Sequence, residues 1–395
     1  MTDQSNSDIL FGRRARVTIY KQGMTSEEIQ EALSSETESG KNESQDSSKT
    51  EPNKPSGNSG ILSFEITEDL ALEFEIYKTL DNAGKGNDAS LKIYGLSQDT
   101  AEVMGYQMLT CKIEVGYKGQ PLTPIFLGDI LSASYKKAKR GGQSEAEFSM
   151  SQSYLKMHTG TKYSKAFPRD TLLSAVLFDA SNHFGVDILF KSLAPDTASL
   201  LTKVYPYGVS VDGTLNEVLN KILPPNGFRW NINQANQVTV FQDDVYTNQD
   251  GQSGALVNGA VKLESTPENE NVTSSGIKIY HLDSNSGLVD LPYLETESIT
   301  KRLAEVQVDT PVKNSKTGKT RKKTIRPKIK VARQIVNFKT LLLPDLDVGD
   351  IVKIQTENAK DLNNNYGILS IKYVGKTYGT EWYCECVGVA TNKLD

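Results

Sequence analysis

Apolar side chains recur at every second position through most of this chain. Leu70, Leu72, Phe74 and Ile76 share one parity, Leu91 and Ile93 another run, and Cys111, Ile113, Val115 and Tyr117 a third. Alternation of this kind gives an extended strand one apolar and one polar face. Residues 62–66, 125–135 and 146–150 read the same way. The pattern predicts a mostly antiparallel sheet or barrel. One short helical turn interrupts it, with Ser97 placed to cap a turn that starts at Gln98.

The period changes after position 167. Leu172, Leu173, Val176, Leu177, Ala180 and Phe184 fall on one helical face, with Asp170 as the expected cap and Gly185 as the stop. A second helix is expected from Thr214. Glu217 stands three residues on, the spacing of a capping box, and Pro224-Pro225 ends the helix. Phe228, Trp230 and Ile232 then alternate, 233–236 reads as a turn, and Val238 and Val240 return, which predicts a hairpin. The stretch 248–254 reads as a hinge. Strands are expected again at 261–263, 277–280, 335–343, 351–354, 368–373 and 382–389.

The fold class is therefore mainly β (α+β), with two β regions flanking a small helix-plus-hairpin module. The expected boundaries are 1–20 with 61–160 for the first β domain, 168–245 for the module and 255–395 for the second β domain. Two insertions stand out. Between positions 31 and 60 the only apolar side chains besides proline are Ala32 and Leu33. Such a stretch buries too little to offset the entropy of ordering, so 21–60 reads as a disordered acidic and Ser-rich insertion. Within a second insertion, 284–333, residues 312–333 carry ten Lys or Arg and no acid. Pro311, Pro327 and the alternation about Ile325, Ile329 and Val331 favour a protruding β-arm. Its cations, Lys316, Lys319, Arg321, Lys322, Lys323 and Arg326, are candidates for contact with a partner protein; a solvated loop and contact with phosphate, of DNA or lipid headgroups, are the alternatives.

With 395 residues the chain is long enough for two or three domains. No apolar run reaches the length of a membrane span, and the polar start carries no secretory pattern. Three cysteines argue against a disulfide framework and suit a reducing compartment. A net charge of −5 excludes a simple basic nucleic-acid binder.

Catalytic and metal patterns are weak. His158, His183 and His281 have no local partner pattern, and no histidine pair falls at helical spacing. Cys384 and Cys386 share one face of a strand but lack a second pair to complete four ligands, so two small core residues is the better reading. Gly318-Lys319-Thr320 lacks the earlier glycine of a phosphate-binding loop. The run from Asp345 to Asp350 places Gly349 where a calcium loop needs a ligand, and reads as a tight turn between strands. No metal or cofactor is predicted. The residues singled out are structural. Gly349 permits the turn, Trp382 anchors the last sheet, and Gly128 and Asp129 shape a kink in the strand 125–135.

Several segments together resemble the baseplate (tail) hub proteins of contractile-tailed phages and related contractile injection systems. Leu91-Lys-Ile-Tyr-Gly-Leu-Ser97 followed by Thr100 is similar to that family's strand and short helix, with Gly95 where Asn is common. Ile113-Glu-Val-Gly-Tyr117 and Ile125-Phe-Leu-Gly-Asp-Ile130 resemble its next two strands. The order helix, loop, helix, Gly-Phe-x-Trp strand and return strand resembles its middle region. Leu341-Leu-Leu-Pro-Asp-Leu-Asp-Val-Gly-Asp350, Tyr366-Gly-Ile-Leu-Ser-Ile-Lys-Tyr-Val-Gly375 and Gly379-x-Glu-Trp382 resemble its closing strands. The acidic and basic insertions depart from the simplest pattern.

The resemblance implies two tail-tube-like β-barrel or sandwich domains joined by the small module, and no enzymatic activity. It implies a ring, a homotrimer, connecting a hexameric tail tube to a central spike and lining the exit channel. Implied partners are the tube protein, the spike protein and other baseplate proteins, with DNA passing through without specific binding. The implied place is the virion tail, assembled in the host cytoplasm. A tail-tip protein of a long flexible-tailed phage is the alternative within this class. A tail-associated cell-wall hydrolase is the alternative outside it.

Overall fold

The computed structural model describes residues 12–21, 62–65, 71–80, 87–98, 100–101, 109–137, 143–154, 157–158, 161–191, 203–234, 237–242, 279–284, 286–302, 306–311, 320–325 and 328–391. Of the expected insertion 21–60 only Lys21 is described, at the end of the first strand, Arg13–Lys21; the rest of it, the hinge at 248–254 and the strand at 261–263 lie outside the described residues.

The chain is mainly β. The first region holds β1 (Arg13–Lys21), β2 (Leu62–Glu65), β3 (Leu72–Thr79), β4 (Asp88–Tyr94), β5 (Leu109–Tyr117), β6 (Thr123–Lys136) and β7 (Glu145–Ser151). The alternating residues face inward as their parity requires: Leu72, Phe74 and Ile76 on β3 and Leu91 and Ile93 on β4 are all buried. Ser97 caps the turn after β4, its hydroxyl accepting the Thr100 N–H at 3.1 Å.

The middle region runs β8 (Tyr163–Phe167), β9 (Thr171–Leu172), α1 (Leu173–Phe184), β10 (Ile188–Lys191), β11 (Val204–Tyr205), β12 (Val209–Gly213), α2 (Leu215–Ile222), β13 (Phe228–Ile232) and β14 (Val238–Gln242). Its own core gathers Leu173, Val176 and Leu177 of α1, Val218 and Leu219 of α2, and Trp230 and Val240 of the hairpin. Gly185 ends α1 in the left-handed conformation, and Thr214 and Glu217 form the expected capping box on α2. Asp170 does not cap α1. The two-residue strand β9 pairs with β11 and holds the chain extended up to Leu172, which is the N-cap. Asp170 sits instead in the preceding turn at φ +63°, its N–H bonded to the Tyr205 carbonyl. A tertiary strand pairing outweighs the local capping preference here.

The last region holds β15 (Ile279–Leu282), β16 (Tyr293–Arg302), β17 (Val306–Pro311), β18 (Thr320–Ile325), β19 (Lys328–Leu341), β20 (Ile351–Ile354), β21 (Asn364–Lys376) and β22 (Trp382–Thr391). The segment expected to protrude forms two successive hairpins, β16–β19 and, between them, β17–β18.

Both β regions share one 13-stranded sheet, in the order β16-β19-β22-β21-β3-β4-β7-β6-β5-β1-β2, with β20 on β21 and β15 on β20. The joint is β21. One edge pairs with β22 throughout. The other holds β20 along Asn364–Gly367 and β3 along Ser370–Lys376, with a bulge between Ile368 and Ser370. Covered on both faces, β21 is buried at nearly every position. A single core joins residues of both regions, from Val17 and Phe126 to Phe338 and Val389. Among the described residues no strand pairing closes the sheet into a barrel. Side chains span the gap instead: Arg13 of β1 donates to the Gly379 and Thr380 carbonyls at 2.9 and 3.2 Å, and the Tyr117 hydroxyl of β5 to the Leu342 carbonyl at 2.8 Å.

Candidate functional site

Of the residues singled out in the sequence, Gly349 lies where the middle region meets the sheet. The turn between β19 and β20 is built by its own aspartates. The Asp350 carboxylate accepts the Asp347 N–H at 2.9 Å, and the Asp347 carboxylate accepts the Val348 N–H at 2.8 Å. These local bonds explain the acidic spacing as turn chemistry. Gly349 sits at φ +86°, and its N–H donates to the Ile368 carbonyl of β21 at 2.9 Å. A Cβ on Gly349 would lie 2.0 Å from the Phe241 ring. Phe241 comes from β14 of the middle region and is buried in the large core. Gly349 thus leaves room for a ring that docks the module on the sheet. Gly349→Ala combines a strained φ with this clash, and we expect it to cost about 3 kcal/mol or more. The urea midpoint checks this; an unchanged midpoint would show that the ring is not fixed there.

Lys78 of β3 reaches the same turn. It is 0 % exposed, and its Nζ lies 3.2 Å from both carboxylate oxygens of Asp347. Its ammonium also stands 5.4 Å from the centre of the Tyr373 ring of β21. The Tyr373 hydroxyl donates to the Leu346 carbonyl. Burial, with Asp347 close by, holds this phenol far above its ordinary range, so it remains a donor. Tyr280 of β15 is pushed up likewise, by burial and then by Asp350, Asp345 and Asp347.

A second joint is made of amides. Asn87, Gln152 and Asn231 are all buried. The Asn87 amide donates to Gln152 Oε1 at 2.6 Å and to Asn231 Oδ1 at 2.8 Å. The Asn231 amide donates to the Thr79 carbonyl at 2.6 Å, and that of Gln152 to the Asn233 carbonyl at 2.6 Å. This network ties β13 and the turn after it to the ends of β3 and β7. Buried polar groups satisfied in this way fix one docking geometry, because a shift would orphan several at once.

Trp382 opens β22 in the large core. It packs edge-on against Phe74 of β3, ring centres 5.6 Å apart, and the Arg13 guanidinium lies 5.9 Å from its ring centre. Gly128 and Asp129 lie where β6 passes from β5 to β7: Asp129 is in register with Thr110 on one side and Ser151 on the other. A Cβ on Gly128 would meet the Phe126 ring at 2.5 Å and the Ser151 carbonyl at 2.8 Å. The register shifts just beyond, between Ile130 and Ser132.

The remaining candidates are dispersed. Cys384 and Cys386 are both buried in the core, and burial pushes the Cys384 thiol up to about 12. His158 packs on Tyr154, and His183 on Tyr163 and Phe184. Among the described residues no three His, Cys, Asp or Glu are grouped to hold a metal, and no helix is long and apolar enough to cross a membrane. Of the basic arm, Arg321, Lys322 and Lys323 lie on β18, while Lys316, Lys319 and Arg326 fall outside the described residues. Sequence reasoning missed Lys78, Asn87, Gln152, Asn231 and Phe241. Lys78 alone carried a signal, since it continues the inward parity of Leu72, Phe74 and Ile76.

No family model matches this chain, and no curated protein matches it. Its structure is similar to solved structures of phage tail and secretion-system proteins. The 43 kDa tail protein of prophage MuSo2 from Shewanella oneidensis has 10% identity and a TM-score of 0.45, over 83% of this chain and 98% of that one. The tail protein from Neisseria meningitidis MC58 has 10% identity and a TM-score of 0.47, over 82% and 96%. The Francisella PdpA–VgrG complex has 10% identity and a TM-score of 0.48, over 97% of this chain and 58% of that one.

Proposed function

We propose that this chain is a structural hub of a phage or phage-like tail, acting as an assembly component rather than a catalyst. It forms a ring of three copies that joins a six-fold tail tube to a central spike and leaves a channel for the cargo. One observation carries the reading: the hub-like motifs, in their order along the chain, fall on the elements that the resemblance calls for. Leu91–Ser97 is strand β4 and its capped turn. The runs at 113–117 and 125–130 are the paired strands β5 and β6. The module is two helices and a hairpin around its own core. The Pro344-to-Gly349 run is a tight turn, and Trp382 starts the closing strand.

The joints suit such a part. A hub must transmit load between tube and spike without its regions rotating. The shared strand β21, the Lys78–Asp347 pair and the amide network each hold two regions in one relative position. The proposed division is two β units and a module acting together, a reading supported by the sheet and core that the two β regions share. Light scattering on the purified protein tests the reading. The expected mass is near three times 43.5 kDa. A monomer at every concentration, unchanged when candidate spike protein is added, overturns it. The hydrolase alternative predicts clearing on cell-wall zymograms, and the hub reading predicts none.

A further inference from the structure

We propose that two exposed patches of this chain, the run 289–294 at the edge of the large sheet and the β9–β11 ribbon of the module, meet each other between neighbouring copies. The inference rests on the ring reading, because a ring supplies the second copy.

Exposed apolar side chains gather at these two places. Val289, Leu291, Tyr293 and Leu294 are all exposed, Tyr293 by 61%. On the ribbon Leu172, Val204 and Tyr207 are exposed, Tyr207 by 75%. Leu172 and Val204 are partners in register, so they stand side by side on one face. Together the patches hold seven of the twelve large apolar side chains that are exposed among the described residues. Apolar residues scattered singly need no explanation, whereas gathered ones mark contact with another protein.

The fold holds both patches in place. The Val289 N–H donates to the Lys339 carbonyl at 2.8 Å, the Leu341 N–H donates to the Gly287 carbonyl at 2.8 Å, and β16 then runs along β19. On the ribbon the Asp170 N–H donates to the Tyr205 carbonyl at 2.8 Å. The Asn226 amide donates to the Tyr205 hydroxyl at 2.8 Å, and the Lys203 ammonium to the Asn226 carbonyl at 2.5 Å. Surfaces fixed before contact give up little entropy on binding.

The charges beside the two patches are opposite. Within 286–296 the charged residues are Asp290 and Glu295, both exposed, with no cation. Lys339, whose carbonyl holds Val289, lies over the Tyr383 ring and in register with Glu385. The ribbon carries exposed Arg169 and Lys203 against one acid, Asp170. An acidic apolar patch and a basic apolar patch are complementary. Both are exposed in the single chain, so neither covers the other within it. Because the two surfaces differ, their contact is head-to-tail, the kind that closes into a ring when the rotation allows. Each copy then offers its edge run to one neighbour and its ribbon to the other.

Sedimentation of the full chain over a range of concentrations tests this. D290K/E295K and R169E each place like charges across the contact, and each should weaken self-association about tenfold or more. L291S/Y293S should do the same by removing apolar contact. All these side chains are exposed, so every variant should keep the wild-type urea midpoint. The decisive chain is D290K/E295K/R169E, which reverses the charge balance on both sides and should regain association. A wild type that assembles while the variants assemble equally well overturns this contact and leaves the ring standing. A combined variant that associates more weakly than either parent overturns the pairing of the two patches with each other. Edge-run variants that self-associate normally but lose candidate spike protein overturn the second copy in favour of that partner. A wild type that stays monomeric at every concentration, with and without candidate spike protein, overturns both the contact and the ring.

Discussion

Asp347→Ala should destabilise the protein far more than Lys78→Met, although the two substitutions break the same ion pair. Lys78 is fully buried, whereas the Asp347 side chain keeps 27% of its surface in water. Removing the carboxylate strands an ammonium in the core, and a buried charge without its partner costs about 3–5 kcal/mol. Removing the ammonium leaves a carboxylate that water can still solvate. Methionine also fills much of the lysine's volume, so that loss should stay near about 1 kcal/mol. The double variant should recover most of what Asp347→Ala loses, because the stranded charge is gone. Asp347→Asn separates the charge from the turn, since an amide oxygen can still accept the Val348 N–H that Asp347 holds at 2.8 Å. Urea midpoints of the four variants form a mutant cycle. Equal losses for Asp347→Ala and Lys78→Met would mean that Lys78 finds water in solution.

The second large effect is expected at Trp382. It is nearly fully buried, it contacts Phe74 from the first β region, and Arg13 reaches over it from β1. Truncation to alanine removes the largest side chain at the seam between the sheet's two ends, at about 3–5 kcal/mol. Trp382→Phe keeps a ring against Phe74 and should lose clearly less. A loss below about 1 kcal/mol for the alanine variant would show that the seam closes without the indole. Arg13→Ala tests the same seam from the other side, since its two bonds to the 379–380 turn lie at the surface and add less.

Local signals in the sequence were reliable where local forces decide. The capping box at Thr214 and Glu217, the glycine stop at 185 and the strand parities of β3, β4 and β5 all rest on contacts within a few residues. Asp170 shows the limit: a good capping residue is overruled by a strand pairing with Val204 and Tyr205, more than thirty residues on. The union of the two β regions was not legible either. β3 and β21 lie almost three hundred residues apart, and nothing in either strand's alternation names its neighbour. The amide joint was equally hidden, because Asn87, Gln152 and Asn231 look like ordinary surface residues until the fold buries them together. Lys78 was legible in principle, as a cation at an inward position of an otherwise apolar face. Gly349, expected in a turn, lies at φ +86°, but the room it leaves for Phe241 belongs to packing between regions and has no local signal.

Three copies forming a ring around a channel have a symmetry that images of the purified protein would reveal. Class averages from electron microscopy should show three-fold rings with an open centre. Single subunits under all conditions, or closed assemblies without a central opening, would contradict it.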